Sequence, residues 1–367
     1  EGRNITHNQK KLKQDELLYF RDRFNVPLTD EEASATPFYR FSEDSEEHKY
    51  LMKKRKDLGG SLPYRNQKAP NLTVPDISIF QEMLDGSGDR EVSTTMSYVR
   101  FLTLLSKDKH IGKHVVPIVP DEARTFGMDP LFRQLGIYAH AGQLYDPVDS
   151  DQFLYYKEAK NGQILEEGIN EAGAISSFIA AGMSYSNHGI HMIPFYIYYS
   201  MFGFQRVWDF IWAAGDMRAR GFLLGGTAGR TTLNGEGLQH QDGHSHLAAA
   251  STPNIKAYDI AYSYEIAVVV HWGMKEMVEE NKDVIYYLTL ENENYKHPPI
   301  PKGVEKDIIK GLYKVRGTSK PIVRILGSGP LMGEALKAAE LLKKDWGIDP
   351  GVWNVTSFSE LRRDAEE

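Results

Sequence analysis

Glu171 has the sequence surroundings of a catalytic acid. It lies in the segment 165–174, where an apolar strand ends at Gly168-Ile169 and a helix rich in Ala and Gly begins. An acid in the first turn of a helix can simply stabilise the helix dipole. It can also be a partly buried carboxyl at the carboxyl edge of a parallel sheet, where α/β proteins bind ligands. Taken alone, the segment favours the structural role.

A second segment, residues 194–206, is dense in aromatic side chains, with the sequence PFYIYYSMFGFQR. Such a run is either core or a stacking wall for a flat heteroaromatic ligand. Arg206 follows Phe202 by four residues and therefore lies on the same helical face. The segment thus offers ring faces and a cation at one place.

The third segment, 226–246, is rich in Gly and His. It holds His240, His244 and His246 with Glu236 and Asp242. The glycines disfavour a helical pair of His ligands, and His-x-His alone is a weak metal signal. We therefore predict no metal site here and favour recognition of an anion or carbonyl by an imidazole. For His244 and His246 we expect hydrogen bonds that stabilise the loop.

Composition limits the classes of protein that can hold these segments. The 367 residues are 41% hydrophobic and 25% charged, as in ordinary globular proteins of about two domains. No run of eighteen apolar residues predicts a membrane span. The chain has no Cys, which excludes disulfides and thiolate zinc sites and fits a cytoplasmic protein. Its net charge of −7 argues against general nucleic-acid binding.

The apolar pattern predicts the elements that position these segments. From residue 115 onward, short apolar runs at 115–119, 163–169, 192–199, 222–226 and 284–290 alternate with helix-length segments, including 122–135 and 261–278. Buried strands alternating with helices indicate a parallel α/β sheet. Helices at 45–58 and 92–106 and a linker at 61–75 precede it.

A second α/β domain is expected to start near the end of the chain. Strands at 321–326 and 352–355 flank an amphipathic helix at 331–346, which makes one βαβ unit. Gly327-Ser328-Gly329 between strand and helix is a tight turn rather than a phosphate loop, because a lone Gly-x-Gly is weak evidence.

Together the segments resemble the thiamine-diphosphate enzymes of the transketolase group, and most closely the decarboxylating components of bacterial homodimeric pyruvate dehydrogenases. The strings EGRNI at 1–5 with His7, DEARTFGM at 121–128, 195–205 and NGEGLQH at 234–240 match that family's pattern. The resemblance implies a catalytic loop, helices and linker at 1–71. It places a parallel-sheet, pyrimidine-binding middle domain at 72–307 and the truncated start of a transketolase C-terminal-like α/β domain at 308–367.

The resemblance also implies thiamine diphosphate and Mg²⁺ as cofactors. The family holds the metal with a Gly-Asp-Gly motif in an N-terminal domain, and no Gly-Asp-Gly occurs here. We therefore expect the Mg²⁺ ligands in an N-terminal domain outside this chain. The chain would then be a fragment that binds the cofactor weakly and is inactive when isolated.

The family assigns cofactor contacts to positions that this sequence matches. Glu171, in a Gly-Ile-x-Glu pattern, would hydrogen-bond the aminopyrimidine N1′ and needs an apolar pocket that keeps it protonated. Phe202 would stack on the pyrimidine. The other matched positions of the cofactor pocket are Asp121, Glu122, Ile169, Tyr199 and Arg206.

The substrate side is matched by three residues. Glu236 and His240 would face the pyruvate carboxylate and the developing oxyanion. His7 lies on a loop that closes over the cofactor and handles the lipoyl acceptor in the family. These matches imply oxidative decarboxylation of pyruvate by a homodimer, with acetyl transfer to the lipoyl domain of dihydrolipoyl acetyltransferase.

Three alternatives stay open from the sequence. One is another enzyme of the transketolase group, acting on a different 2-oxo acid or on a sugar phosphate; the match at 234–240 argues against it. A non-catalytic domain that kept the fold is the second, and the joint presence of Glu171, Phe202 and His240 argues against that. The third is a His-based metalloprotein.

Overall fold

The first part of the chain is helical where the structure describes it. The computed structural model describes residues 10–60, 69–120, 123–148, 155–229 and 237–367, and the chain divides into two units, Glu1–Arg65 and Asn66–Glu367. The first unit contains α1 (Gln14–Arg23), α2 (Asp30–Ala35) and α3 (Glu46–Asp57). The predicted helix at 45–58 is confirmed as α3, and Ser45 caps it by accepting a hydrogen bond from the His48 N–H.

The second unit is an α/β assembly. Its helices are α4 (Gln81–Leu84), α5 (Thr94–Leu105), α6 (Asp129–Leu135), α7 (Glu171–Gly182), α8 (Ser184–Asn187), α9 (Phe204–Asp216), α10 (Ser245–Ala250), α11 (Ser263–Met274), α12 (Glu305–Lys310), α13 (Met332–Trp346) and α14 (Phe358–Glu366). Its strands are β1 (Glu91–Val92), β2 (Val115–Val119), β3 (Ile137–Tyr138), β4 (Glu158–Ala159), β5 (Leu165–Glu166), β6 (Ile193–Tyr199), β7 (Gly221–Gly226), β8 (Ile255–Asp259), β9 (Ile285–Thr289), β10 (Tyr295–Lys296), β11 (Leu312–Arg316), β12 (Arg324–Gly327) and β13 (Gly351–Val355). No helix of the described residues is long and apolar enough to cross a membrane.

A six-stranded parallel sheet forms the centre of this unit, in the order β5-β2-β6-β7-β9-β8. The predicted parallel α/β sheet is confirmed. The chain runs from β2 to its neighbour β5 and then returns to β6 on the other side of β2. Strand order therefore reverses between β2 and β6, and such a switch point opens a crevice at the carboxyl ends of the strands.

The sheet is covered on both faces, which explains the continuous apolar run of β6. Phe195 and Ile197 belong to the core that includes side chains of α5, α6 and α11. Tyr196 and Tyr198, pointing the other way, belong to the core formed with α7, α9 and α10. Successive strand residues face opposite sides, so a strand buried on both faces needs an apolar residue at every position.

The predicted βαβ unit near the end of the chain is confirmed. β12 and β13 are parallel neighbours joined through α13, and β11 adds an antiparallel third strand that the pattern did not predict. The predicted tight turn at 327–329 also lies between β12 and α13, and the Ser328 Oγ donates a hydrogen bond to Asp259 of β8 at 2.6 Å.

Several predicted boundaries are wrong. The helix expected at 122–135 begins at Asp129, because Pro130 has no N–H and starts a helix better than it continues one. The strand expected at 163–169 shrinks to β5, since Gly168 turns the chain with φ +71°. The helix expected at 261–278 ends at Met274 and continues as one π-helical turn, Lys275–Glu279. β8 was missed altogether.

Candidate functional site

Predicted site residues meet at the switch point of the sheet. Ile169 and Glu171 follow β5. Tyr199 ends β6, and a short 3₁₀ turn, Ser200–Phe202, follows it directly. His240 comes from the connection after β7, in the 3₁₀ turn Leu238–His240. Four further candidates, His7, Asp121, Glu122 and Glu236, lie outside the described residues.

Glu171 stands in the first turn of α7. The preceding Asn170 caps this helix, its side chain accepting a hydrogen bond from the Gly173 N–H at 3.1 Å. The Glu171 side chain is only 11% exposed, yet its Oε1 accepts a 2.6 Å hydrogen bond from Arg206 Nη1. The carboxyl is therefore shielded from solvent as expected, but a cation contacts it where an apolar pocket was predicted.

The same guanidinium covers the ring of Phe202. Arg206 Cζ lies 4.1 Å from the centroid of the Phe202 ring, in cation–π geometry. The two residues are in contact as predicted, but not through a shared helical face, because Phe202 lies in the 3₁₀ turn that precedes α9. Arg206 is 48% exposed and Ile169 is exposed as well, so this part of the site opens to solvent.

Tyr199 joins the Phe202 side of the site to His240. The rings of Tyr199 and His240 stack with centroids 4.8 Å apart and planes at 24°. Phe202 approaches His240 edge-on at 5.5 Å, and Phe126 packs on Tyr199 at 5.3 Å. Within the aromatic segment 194–206, residues 195–198 are buried core residues, as one reading predicted. Tyr199 and Phe202 are only partly buried and contact His240, and their predicted stacking on a ligand stays a prediction.

His246 makes the kind of hydrogen bond expected for it. Thr289 donates its hydroxyl to Asp259 at 2.7 Å, so the His246 Nε2 donates to Thr289 Oγ1 at 3.0 Å. The backbone N–H of His244 donates to Asp242 Oδ1 at 3.0 Å. Both residues thus help to hold the loop. Across the described ranges, no group of three or more His, Asp or Glu side chains is arranged to bind a metal ion.

Two functional candidates, Ser200 and Asp242, were missed by the sequence argument. They form a buried hydrogen-bonded pair, in which Ser200 directly follows Tyr199 and Asp242 lies two residues after His240. The available signal was the string Asp242-Gly243-His244-Ser245, since an Asp that precedes small and polar residues often accepts hydrogen bonds from the backbone ahead of it.

Comparison with known proteins identifies the family of the chain. The profile of the pyruvate dehydrogenase E1 component middle domain matches residues 72–298. The pyruvate dehydrogenase E1 component of Pseudomonas aeruginosa is 58% identical over 367 residues, covering 99% of this chain and 42% of the relative. That of Escherichia coli K12 is 51% identical over 374 residues, covering 100% of this chain and 42% of the relative. The chain therefore spans less than half the length of these curated relatives.

Solved structures with a similar fold include transketolases. The transketolase of Campylobacter jejuni has a TM-score of 0.60 at 16% identity, over 96% of this chain and 49% of that one. The Leishmania mexicana transketolase has a TM-score of 0.59 at 14% identity, over 95% of this chain and 41% of that one. These likenesses confirm the predicted transketolase-like α/β fold. With the profile match over most of its length, the chain belongs to the pyruvate dehydrogenase E1 component family.

Proposed function

We propose that this chain supplies the pyrimidine-binding part of a pyruvate dehydrogenase E1 component. The activity would be thiamine-diphosphate-dependent decarboxylation of pyruvate, followed by transfer of the acetyl group to a lipoyl-lysine of dihydrolipoyl acetyltransferase. The observation that carries the proposal is that Glu171 and Phe202 both contact one planar group, the Arg206 guanidinium, at the switch point of the sheet.

The contacts of this guanidinium support the proposal that these residues accept the cofactor. Its Cζ lies 4.1 Å from the centroid of the Phe202 ring, and its Nη1 donates a hydrogen bond to the Glu171 carboxyl. An aminopyrimidine is also planar and carries nitrogen atoms at its edge, so it can make the same two contacts. Arg206 is half exposed, so its side chain can move into solvent when such a ring takes the place of the guanidinium. The accompanying Mg²⁺ belongs to the same proposal, with ligands outside this chain.

Bound thiamine diphosphate supplies a nucleophilic thiazolium carbon and an electron sink for decarboxylation. Glu171 holds a proton at the edge of the pyrimidine, and Phe202 orients the ring by stacking. Tyr199 holds the His240 imidazole, which donates to an oxygen of pyruvate. Asp121, Glu122 and Ile169 complete the cofactor pocket in this proposal, and Glu236 joins His240 on the substrate side.

The wider organisation is proposed on the same basis. Residues 1–71 would carry the catalytic loop and linker, 72–307 the middle domain, and 308–367 the start of the C-terminal domain. A homodimer would complete the site, because the cofactor is expected to lie between this domain of one subunit and the diphosphate-binding domain of the other.

The direct test is substrate choice by the full-length protein. Purified protein with thiamine diphosphate and Mg²⁺ should reduce an artificial electron acceptor with pyruvate, faster than with longer 2-oxo acids. Turnover of a ketose phosphate in place of pyruvate would support the transketolase alternative. Absence of cofactor binding in the folded full-length protein would support a non-catalytic domain.

Separate variants should divide the site into a cofactor side and a substrate side. Phe202→Ala should weaken thiamine diphosphate binding about tenfold, because loss of ring stacking costs on the order of 1 kcal/mol. His240→Ala should instead lower kcat/KM for pyruvate while the cofactor Kd holds. Calorimetry and steady-state kinetics measure the two effects. Trp346→Ala, which removes an exposed aromatic of α13, is the control, and the reverse pattern would contradict both placements.

His7 is proposed to act only in acetyl transfer. An imidazole can donate a proton to an incoming lipoyl disulfide. His7→Ala should therefore leave decarboxylation with an artificial acceptor nearly intact. Transfer to the lipoyl domain should fall tenfold or more, which is about 1.4 kcal/mol. Equal losses in the two assays would point to a defect in folding or cofactor binding and contradict this role.

A further inference from the structure

Ser200 and Asp242 connect the end of β6 to the loop that carries His240. Ser200 is fully buried and lies between the site residues Tyr199 and Phe202. Its Oγ donates a hydrogen bond to Asp242 Oδ2 and contacts the Tyr287 hydroxyl at 3.1 Å. Because the Ser200 proton goes to the carboxylate, the Tyr287 hydroxyl is the donor to Ser200. The result is a buried hydrogen-bond relay that runs from Tyr287 of β9 through Ser200, just after β6, to Asp242.

Asp242 in turn fixes the backbone around it. Its Oδ1 accepts hydrogen bonds from the N–H groups of His244 at 3.0 Å and Ser245 at 3.2 Å. Its own N–H donates to the Gly229 carbonyl at 3.1 Å, just after β7. Burial alone would raise the pKa of Asp242, but the hydrogen bonds from Ser200, Ser245 and the two backbone groups outweigh it and lower the pKa. Such hydrogen bonds stabilise a charged carboxylate.

The neighbouring strand leaves room for this contact. A Cβ at Gly225 of β7 would lie 2.6 Å from Ser200 Oγ and 2.7 Å from the Tyr287 hydroxyl. Any side chain at 225 would therefore push the two hydroxyls apart. Glycine at position 225 therefore leaves the space in which the two buried hydroxyls meet.

The loop is consequently held at two points on the same strand end. His240 stacks on Tyr199, and two residues later Asp242 bonds to Ser200, the residue after Tyr199. Ring stacking alone fixes an imidazole poorly, since such a pair contributes only about 0.5–1.5 kcal/mol. A charged hydrogen bond two residues away restricts the backbone from which the imidazole projects.

We propose that Asp242, anchored by Ser200, is a positioning residue that holds His240 at the substrate side of the site. This inference rests on the proposed role of His240 in binding or polarising pyruvate. Asp242 itself touches neither cofactor nor substrate in this scheme; it acts by fixing the loop.

Hydrogen exchange tests the anchor without reference to catalysis. In the full-length protein, Asp242→Ala should speed exchange of the His244 and Ser245 amides tenfold or more, because both lose their acceptor. Asp242→Asn keeps one carbonyl oxygen and should have a smaller effect. Ser200→Ala removes only the hydrogen bond from Ser200 Oγ to Asp242. Asp216→Ala, an exposed acid at the end of α9, is the control. Unchanged exchange of this segment in folded Asp242→Ala and Ser200→Ala proteins would overturn the proposal.

A double-mutant cycle then tests whether Asp242 acts through His240. Asp242→Asn and Ser200→Ala should each lower kcat/KM for pyruvate about tenfold, with the cofactor Kd changed less than twofold. In a His240→Ala background, the same substitutions should lower kcat/KM for pyruvate by a further factor of less than two. Full additivity would overturn the positioning role. If the wild-type protein turns over no pyruvate, the proposed function fails, while the exchange experiment still decides the anchor.

Discussion

Replacement of Glu171 by Gln in the full-length protein is expected to slow pyruvate decarboxylation by about 10² to 10⁴, the usual contribution of a positioned acid or base. The amide is nearly the same size as the carboxyl but cannot exchange a proton with a pyrimidine nitrogen. Exchange of the thiazolium C2 proton, followed by NMR, should slow by a similar factor. The slower C2 proton exchange should therefore be measurable before pyruvate is added.

The fold should survive this substitution. The only ionic contact that Glu171 makes among the described residues is with the half-exposed Arg206, and the Gln oxygen can still accept the hydrogen bond from Arg206 Nη1. Glu82→Gln is a control, because Glu82 also pairs with a half-exposed arginine, Arg100, outside the site. Unchanged C2 exchange in folded Glu171→Gln protein would exclude the acid role and leave Glu171 as a first-turn acid that stabilises the helix dipole.

The sequence predicted the sheet well where its strands are buried on both faces. β6 reads as an unbroken apolar run, and the strands β2, β7 and β9 of the same sheet are recognisable in the same way. β8 was missed because Lys256 interrupts its apolar pattern. The structure explains the exception, since the Lys256 ammonium lies 2.8 Å from the buried carboxylate of Glu276, a partner twenty residues away that no local pattern reveals.

For the site, residue types were predictable and contacts were not. Spacing predicted that Phe202 and Arg206 lie on one helical face. They do make a cation–π contact, but Phe202 belongs to the 3₁₀ turn before α9, so the predicted helical face was wrong. The pairing of Arg206 with Glu171 joins residues 35 positions apart and depends on β5 and β6 flanking β2. Asp242 was counted among the loop acids but given no role, because its hydrogen bond goes to Ser200, 42 positions earlier in the turn that follows β6. Long-range pairing of this kind is set by sheet order.

Glu265 is expected to be the residue on which attachment of the C-terminal strands depends most strongly. It is fully buried in the first turn of α11. Its Oε1 accepts hydrogen bonds from the Tyr313 hydroxyl of β11 and from Asn354 Nδ2 of β13, both at 2.5 Å. Its Oε2 accepts from the backbone N–H groups of Ala261 at 2.7 Å and Tyr262 at 3.2 Å. The carboxyl thereby links α11 to two strands of the three-stranded sheet.

Removal of this carboxyl leaves four buried donors without their acceptor. Each buried polar group without a partner costs about 1–3 kcal/mol, so Glu265→Ala should lower the free energy of unfolding by more than about 3 kcal/mol. Glu265→Gln keeps one carbonyl oxygen. Asn354 can rotate its amide to accept from the new NH₂ group, because Asn354 Oδ1 has no hydrogen-bond partner in the described structure. The Gln variant should therefore be the milder of the two.

The same group predicts how stability depends on pH. Burial raises the pKa of Glu265 from its ordinary 4.5 to about 7, although the hydrogen bonds from Tyr313 and the backbone oppose the shift. Between these two values the folded protein holds a proton that the unfolded chain has released. The stabilising contribution is therefore complete below pH 4.5 and is lost as the pH rises through about 7.

Urea unfolding of the full-length protein between pH 5 and 8 tests the sign of this effect. Wild-type stability should fall more steeply across that range than the stability of Glu265→Gln, which has no proton to lose at this position. Glu305→Gln, an exposed acid at the start of α12, should retain the wild-type slope. Parallel curves for wild type and Glu265→Gln would mean that Glu265 titrates alike in folded and unfolded protein. Its carboxylate would then be fully stabilised as an ion by Tyr313, Asn354 and the helix N-terminus.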